Sequence, residues 1–367
     1  MNTERTGIGP GLLFILVFSI LYGHGLMRTP YLSALYFKSN GYWGVCGAFI
    51  LALPVICAVV ALVRRFPGKS LVAYLPEILG QIVGKIVGIL YVLFLFTLTT
   101  WNALAISDYL NLYLLPRTPY LVVLFIVILT TLYIASKGIE GISRTASFLF
   151  FFSLIFITTG LIVSFQNFSF TRVQPMFLFH WETVPLGLVN LFYAFLPLAV
   201  LPMILQYLTQ PRKGLTVLLS ATGLVGLILY MTTFINIGVF GAKGVIIHNW
   251  PFTELGKVVN IPFILQTFGL FISPILLIQV IFGASACYFA TAQGIVELTG
   301  KLSYKLYLYC LFPIIMIIGS LAQRNILIRT LEPYFRIAGF GITFGLPLLI
   351  WILAALLQRG GGADAPH

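Results

Sequence analysis

The chain has 367 residues, of which 60% are hydrophobic and 8% charged, with a mean hydropathy of +1.04. Soluble domains carry roughly 25% charged residues, so these values exclude a soluble protein and indicate one that crosses a bilayer several times. The net charge of +12 is spread through short connections between apolar runs, which fits membrane orientation and gives no reason to expect nucleic acid.

Apolar runs bounded by charges, Gly and Pro predict ten spans, near 10–36, 42–64, 81–113, 118–136, 142–165, 185–209, 214–241, 264–297, 303–322 and 333–357. No short apolar run with a small-residue cleavage site opens the chain, so no cleaved signal peptide is expected. Span 1 is unusual. The stretch LYGHGLMRTP, Leu21 to Pro30, places Gly-His-Gly at mid-membrane, followed by Arg28 and a proline. Gly23 and Gly25 lower the cost of leaving helical dihedrals, and a break there would turn backbone N–H and C=O groups toward a ligand. Equally, the two glycines can let a neighbouring helix approach. His24 is open to three readings: a ligand contact, a proton acceptor, or a core histidine bonded to a carbonyl.

Between spans 2 and 3, residues 68–80 place Leu71, Tyr74, Leu75, Ile78 and Leu79 on one helical face, with Ser70 as N-cap. This predicts a short amphipathic helix lying at the membrane interface. Span 3 sets Thr97 and Trp101 one turn apart, with Asp108 near its end; Arg28 and Asp108 are candidates for an ion pair across a vestibule. After span 5 a polar break, 166–185, divides the chain into halves of similar length. Its Asn-Phe-Ser at 167–169 matches a glycosylation acceptor, a weak pattern.

Span 6 carries Pro197 and Pro202 in mid-membrane, each removing a backbone hydrogen bond. The first spans of both halves are therefore interrupted, a matched pair that points to a midplane site in an inverted-repeat transporter. Tyr22, Phe192, Phe195 and Leu196 become candidate ligand contacts beside those breaks. Residues 250–262 predict a second short helix, with Phe252, Leu255 and Val259 facing inward. Span 8 pairs Cys287 with Thr291 on one face and has Glu297 near its end. Such side chains can line a cavity or join helices. Asp108, Arg28 and Glu297 are candidate proton or gate residues, although both carboxylates also lie close enough to span ends to sit at headgroup level.

With both termini cytoplasmic, twelve of the 21 Lys and Arg fall on one side and nine on the other; Arg324 and Arg329 run against the rule. Cys46, Cys57, Cys287 and Cys310 lack metal or redox spacing and read as small apolar residues. No catalytic, metal or cofactor motif is present, so an enzyme is not expected and no cofactor is assigned.

Four connections carry a resemblance: FPGKSLVAYLPEILG (66–80), RTPYLVV (117–123), YIASKGIEGISRTA (133–146) and NWPFTELGKVVNIP (249–262). In these motifs and their order the chain resembles the membrane-embedded B subunits of spore germinant receptors, over nearly its whole length. That family is similar to the amino acid–polyamine–organocation transporters. The resemblance implies an all-α polytopic membrane protein forming one transmembrane domain over residues 1–367. It further implies a LeuT-like fold of two inverted repeats of five helices, about 10–165 and 185–357, with helices 1 and 6 discontinuous around the ligand. It also implies a nutrient-sensing role in a bacterial spore's inner membrane, beside a larger A-type subunit and a C-type lipoprotein. The germinant, an amino acid, would lie in a midplane pocket between helices 1, 3, 6 and 8. The other reading is an ion-coupled secondary transporter of amino acids or related solutes. Transporting relatives have small residues at the first break, so His24 is expected to fill part of the space of a substrate carboxylate.

Overall fold

The computed structural model of the chain describes residues 7–177, 181–248, 250–258, 268–324 and 330–357. Helices fall on the ranges expected from hydropathy: Pro10–Phe37, Gly41–Arg65, Gln81–Tyr109, Tyr120–Ser136, Gly138–Ser164, Gly214–Ile247, Phe268–Thr299 and Tyr304–Arg324. Span 6 runs from Val184 to Tyr207, and span 10 from Glu332 to Leu356. Among the described residues, eight stretches are long and apolar enough to cross a membrane; the first, Pro10–Arg65, contains two helices, and Tyr120–Ser136 is a shorter apolar helix. No β-strand occurs among the described residues, only an isolated parallel bridge between Ile8 and Leu208.

The two short helices expected between spans form. Leu71–Leu79 buries Leu71, Val72, Tyr74, Leu75 and Ile78, and the Ser70 hydroxyl accepts from the Ala73 amide, so the cap read from the sequence is in place. Pro251–Val258 buries Phe252 and Leu255; Val259 lies outside the described residues.

Burial ranks the spans. Span 6 is the most enclosed, with 89% of its apolar window buried, against 22% for span 9, Tyr304–Gln323, so span 6 forms the centre and span 9 the rim. On span 3, Ile82, Val83, Ile86, Leu90 and Leu93 are exposed, a helical stripe that suits lipid.

Span 1 departs from the expectation of a discontinuous helix. It is one unbroken helix through Gly23, His24 and Gly25. The reason lies in its neighbours. A Cβ on Gly23 would stand 2.7 Å from the Val280 Cα, and one on Gly25 would stand 2.9 Å from Leu229 Cδ1. The glycines serve close helix packing, with span 8's backbone pressed against span 1.

Span 6 is altered but not unwound. Its centre, Phe192–Val200, tightens to a 3-10 helix and holds helical dihedrals at both ends. Carbonyls in this altered region take partners from neighbouring helices, as a backbone in hydrocarbon requires. Thr343 donates to the Leu196 carbonyl at 3.2 Å, and the Tyr91 hydroxyl donates to the Ala199 carbonyl. Span 7 bends at Gly241, whose φ of 69° suits glycine alone, and Arg172 donates to the Val239 carbonyl beside that bend.

Candidate functional site

Arg28 stands one turn beyond Gly-His-Gly on span 1, and Glu332 opens span 10, 304 positions away in sequence. The fold joins them as a two-pronged ion pair: Arg28 Nη2 to Glu332 Oε2 at 2.6 Å and Nε to Oε1 at 3.3 Å. Arg336 follows Glu332 by one helical turn and donates to Oε1 at 2.7 Å, while its Nε donates to Asn190 Oδ1 at 2.8 Å. Spans 1, 6 and 10 are thus tied by one partly buried polar chain in which two guanidinium groups share one carboxylate. Arg28 also lies over the Tyr31 ring, 5.2 Å from its centroid.

This chain borders a cavity of about 640 Å³. Arg28, Glu332 and Asp108 supply charge to its wall, and Trp101, Tyr193 and Trp250 supply aromatic surface. The volume suits a small molecule, and the combination of apolar walls with a few convergent polar groups is that of a binding site.

The sequence-predicted residues divide among several places. Arg28, Trp101 and Asp108 come together at this cavity. Arg28 pairs with Glu332 and not with Asp108, because span 10 brings its first turn against span 1. His24 lies one layer behind the wall: its ring packs on Tyr193 at 4.2 Å, and Nδ1 meets Asn102 Oδ1 at 2.8 Å. Its Nε2 is buried and has no hydrogen-bond partner among the described residues. Tyr22 and Gly23 border a separate small space of about 30 Å³ against Val280 and Trp250.

The remaining candidates sit elsewhere. Thr97 faces an apolar cleft between spans 3 and 10 and bonds its own helix at Leu93. One turn on, Trp101 stacks on Phe335, which also stacks on Phe94. Phe192 packs on Phe340 and Phe344, and Phe195 on Phe49, so both lie in the core with Leu196 and Pro197. Cys287 is buried, and its carbonyl accepts from Thr291, whose hydroxyl is 3.5 Å from that of Thr99; these groups join spans 3 and 8.

Glu297 lies at a different cluster. The Ser70 hydroxyl donates to its carboxylate, and Gln206 and Gln293 approach its Oε1 at 3.5 Å. The short helix Leu71–Leu79 is thereby fastened to spans 6 and 8. Nearby in sequence to Gln206, Tyr207 and Thr209 pair with Ile8 ahead of span 1.

Sequence reasoning missed Glu332, Arg336, Asn190, Asn102 and Tyr193. Only Glu332 and Arg336 left a signal, an acid followed by a base at i, i+4 within a span. The others are ordinary helix residues until the helices pack.

The sequence matches a family model described as "Spore germination protein" over residues 8–326. Spore germination protein YndE of Bacillus subtilis (strain 168) is 20% identical over 348 residues, covering 94% of this chain and 96% of that one. Spore germination protein A2 of the same organism is 25% identical over 194 residues, 52% of this chain and 53% of that one. Among solved structures, the crystal structure of MhsT in complex with L-phenylalanine superposes with a TM-score of 0.73 at 14% identity, covering 96% of this chain and 89% of that chain. That likeness establishes a LeuT-like fold.

Proposed function

The chain belongs to the spore germination protein family, and on that premise we propose that it is the nutrient-sensing membrane subunit of a germinant receptor. The observation that carries this reading is the 640 Å³ cavity, where charged and aromatic side chains from distant spans converge. A small molecule, an amino acid in the first instance, binds there and acts on spans 1, 3, 6 and 10. A ligand shifts the protein only through its different affinity for two conformations, and the Arg28–Glu332 tie between spans 1 and 10 is an element on which it can act. In this reading the pocket lies toward the Arg28 end of the bundle, where the sequence suggests one between helices 1, 3, 6 and 8.

The wider reading is a single transmembrane domain of two inverted repeats, with both termini cytoplasmic, in the inner membrane of the spore. An A-type membrane subunit and a C-type lipoprotein receive the signal. The test is replacement of Trp101 and Tyr193 by alanine in the spore-forming host. Nutrient-triggered germination is lost while the protein remains in the membrane; undiminished germination with both variants refutes the site.

A second reading, an ion-coupled secondary transporter of amino acids or related solutes, draws support from the fold shared with MhsT. Counterflow of a labelled amino acid in proteoliposomes containing only this chain would favour it.

A further inference from the structure

We propose that Arg28 is the anchor for a ligand carboxylate, which takes the guanidinium from Glu332 and leaves Glu332 to Arg336. The inference rests on the reading of the cavity as a small-molecule site and names the chemistry of its ligand: a carboxylate with an apolar or aromatic body.

The first support is the unequal security of the two arginines. Arg336 is 6% exposed and is held from two directions, by Glu332 and by Asn190 of span 6. Arg28 is 24% exposed and borders the cavity; its polar contacts are both to Glu332. Glu332 has a second partner in Arg336, whose 2.7 Å contact to Oε1 is made from within span 10 and does not involve Arg28. Withdrawal of Arg28 therefore leaves Glu332 still paired with a cation through Oε1, which lowers the desolvation penalty that normally opposes breaking such a pair.

The second support is charge. Within the triad Arg28–Glu332–Arg336 two cations share one anion, so the triad itself is one negative charge short. A ligand carboxylate supplies the missing charge, and the planar guanidinium already holds a carboxylate by its fork. Trp101, Tyr193 and Trp250 offer faces for the body.

The exchange has a structural consequence. Arg28 belongs to span 1, and Glu332 with Arg336 to span 10, so the incoming carboxylate replaces a direct tie between two spans by a contact to itself. The bond from Arg336 to Asn190 keeps span 10 on span 6 meanwhile. Span 1 is released from span 10 alone.

The experiment uses the full chain in nanodiscs, with binding read by tryptophan fluorescence, since Trp101 and Trp250 border the cavity. The probes are L-alanine, L-leucine and L-phenylalanine, each against its amide, with a neutral sugar and a nucleoside beside them. The acids should bind at least about tenfold more tightly than the amides, the scale of one charge-assisted contact. Glu332→Gln, which removes the internal competitor, should tighten the acids by about tenfold, while Arg28→Gln should weaken them by about as much or more. Amide binding should follow neither change. Equal binding of acids and amides, or tighter binding by the neutral sugar or nucleoside, overturns the carboxylate anchor and leaves the cavity reading standing. No binding by any probe overturns both. Should Arg28→Gln fail to fold, the gain in Glu332→Gln decides alone, and its absence refutes the exchange.

Discussion

His24 Nδ1 lies 2.8 Å from Asn102 Oδ1, across the contact between spans 1 and 3. Asn102 spends its amide on the Leu98 carbonyl at 3.0 Å, so its Oδ1 faces the ring as acceptor and the ring proton resides on Nδ1. The free lone pair is then on Nε2, in the layer beneath Tyr193. His24 and Asn102 form a unit that seats the cavity wall. His24→Ala and Asn102→Ala should each lower stability, and the double variant should fall well short of their sum, with a coupling of roughly 0.5–3 kcal/mol. Thermal unfolding of the four proteins in detergent measures it; strict additivity would mean the contact carries no energy.

At Gly23 spans 1 and 8 approach too closely to leave room for a Cβ. Because a Cβ there meets backbone atoms of Val280, at 2.7 Å and 2.8 Å, relief requires one helix to move. Gly23→Ala should destabilise by roughly 1–3 kcal/mol. Gly223, with nothing within 4 Å of an added Cβ, is the control, and Gly223→Ala should be neutral or slightly stabilising.

Arg336 is more deeply held than Arg28. Replacing it by methionine strips Glu332 of one partner and Asn190 Oδ1 of its donor, and should cost about 3–5 kcal/mol. Arg28→Met, at the more exposed end of the chain, should cost less. The order of the two midpoints in chemical unfolding checks this; the reverse order would place the structural charge on Arg28.

Ser70 has two duties: it caps Leu71–Leu79 and donates to Glu297. Ser70→Ala should lose about 1 kcal/mol or more from the cap alone. Hydrogen exchange in residues 71–79 should accelerate, while the core of span 6 remains protected. Unchanged exchange would show that packing of Tyr74 and Leu75 suffices.

Thr343 supports the tightened centre of span 6 through the Leu196 carbonyl. Thr343→Val keeps the shape and removes the donor. Buried hydrogen bonds between membrane helices average about 0.6 kcal/mol, so a small drop in thermal midpoint is expected. A loss of several times that size would mean span 6 needs this contact to hold its 3-10 geometry.

Much of the architecture was legible in one dimension because hydropathy is a property of single residues summed over a window. The positions of the spans, the two short helices between spans and the Ser70 cap depend only on local composition and on helical period, and the structure has them where they were expected. The family was legible in the connections, such as FPGKSL and GIEGISR, where residues are not interchangeable as they are in lipid-facing helices.

What Gly-His-Gly does was not legible. Glycine permits a broken helix and close packing alike, and the sequence alone cannot say which neighbour is near. The approach of Val280 decides it, and span 1 stays whole. In the same way the sequence offered Asp108 as a partner for Arg28, and helix packing supplied Glu332 instead. The sequence by itself determined which segments enter the membrane, since burial of apolar side chains in hydrocarbon is local. Only the tertiary structure decided which buried polar groups meet, since in hydrocarbon each must find a partner and that partner lies on another helix, up to 304 positions away.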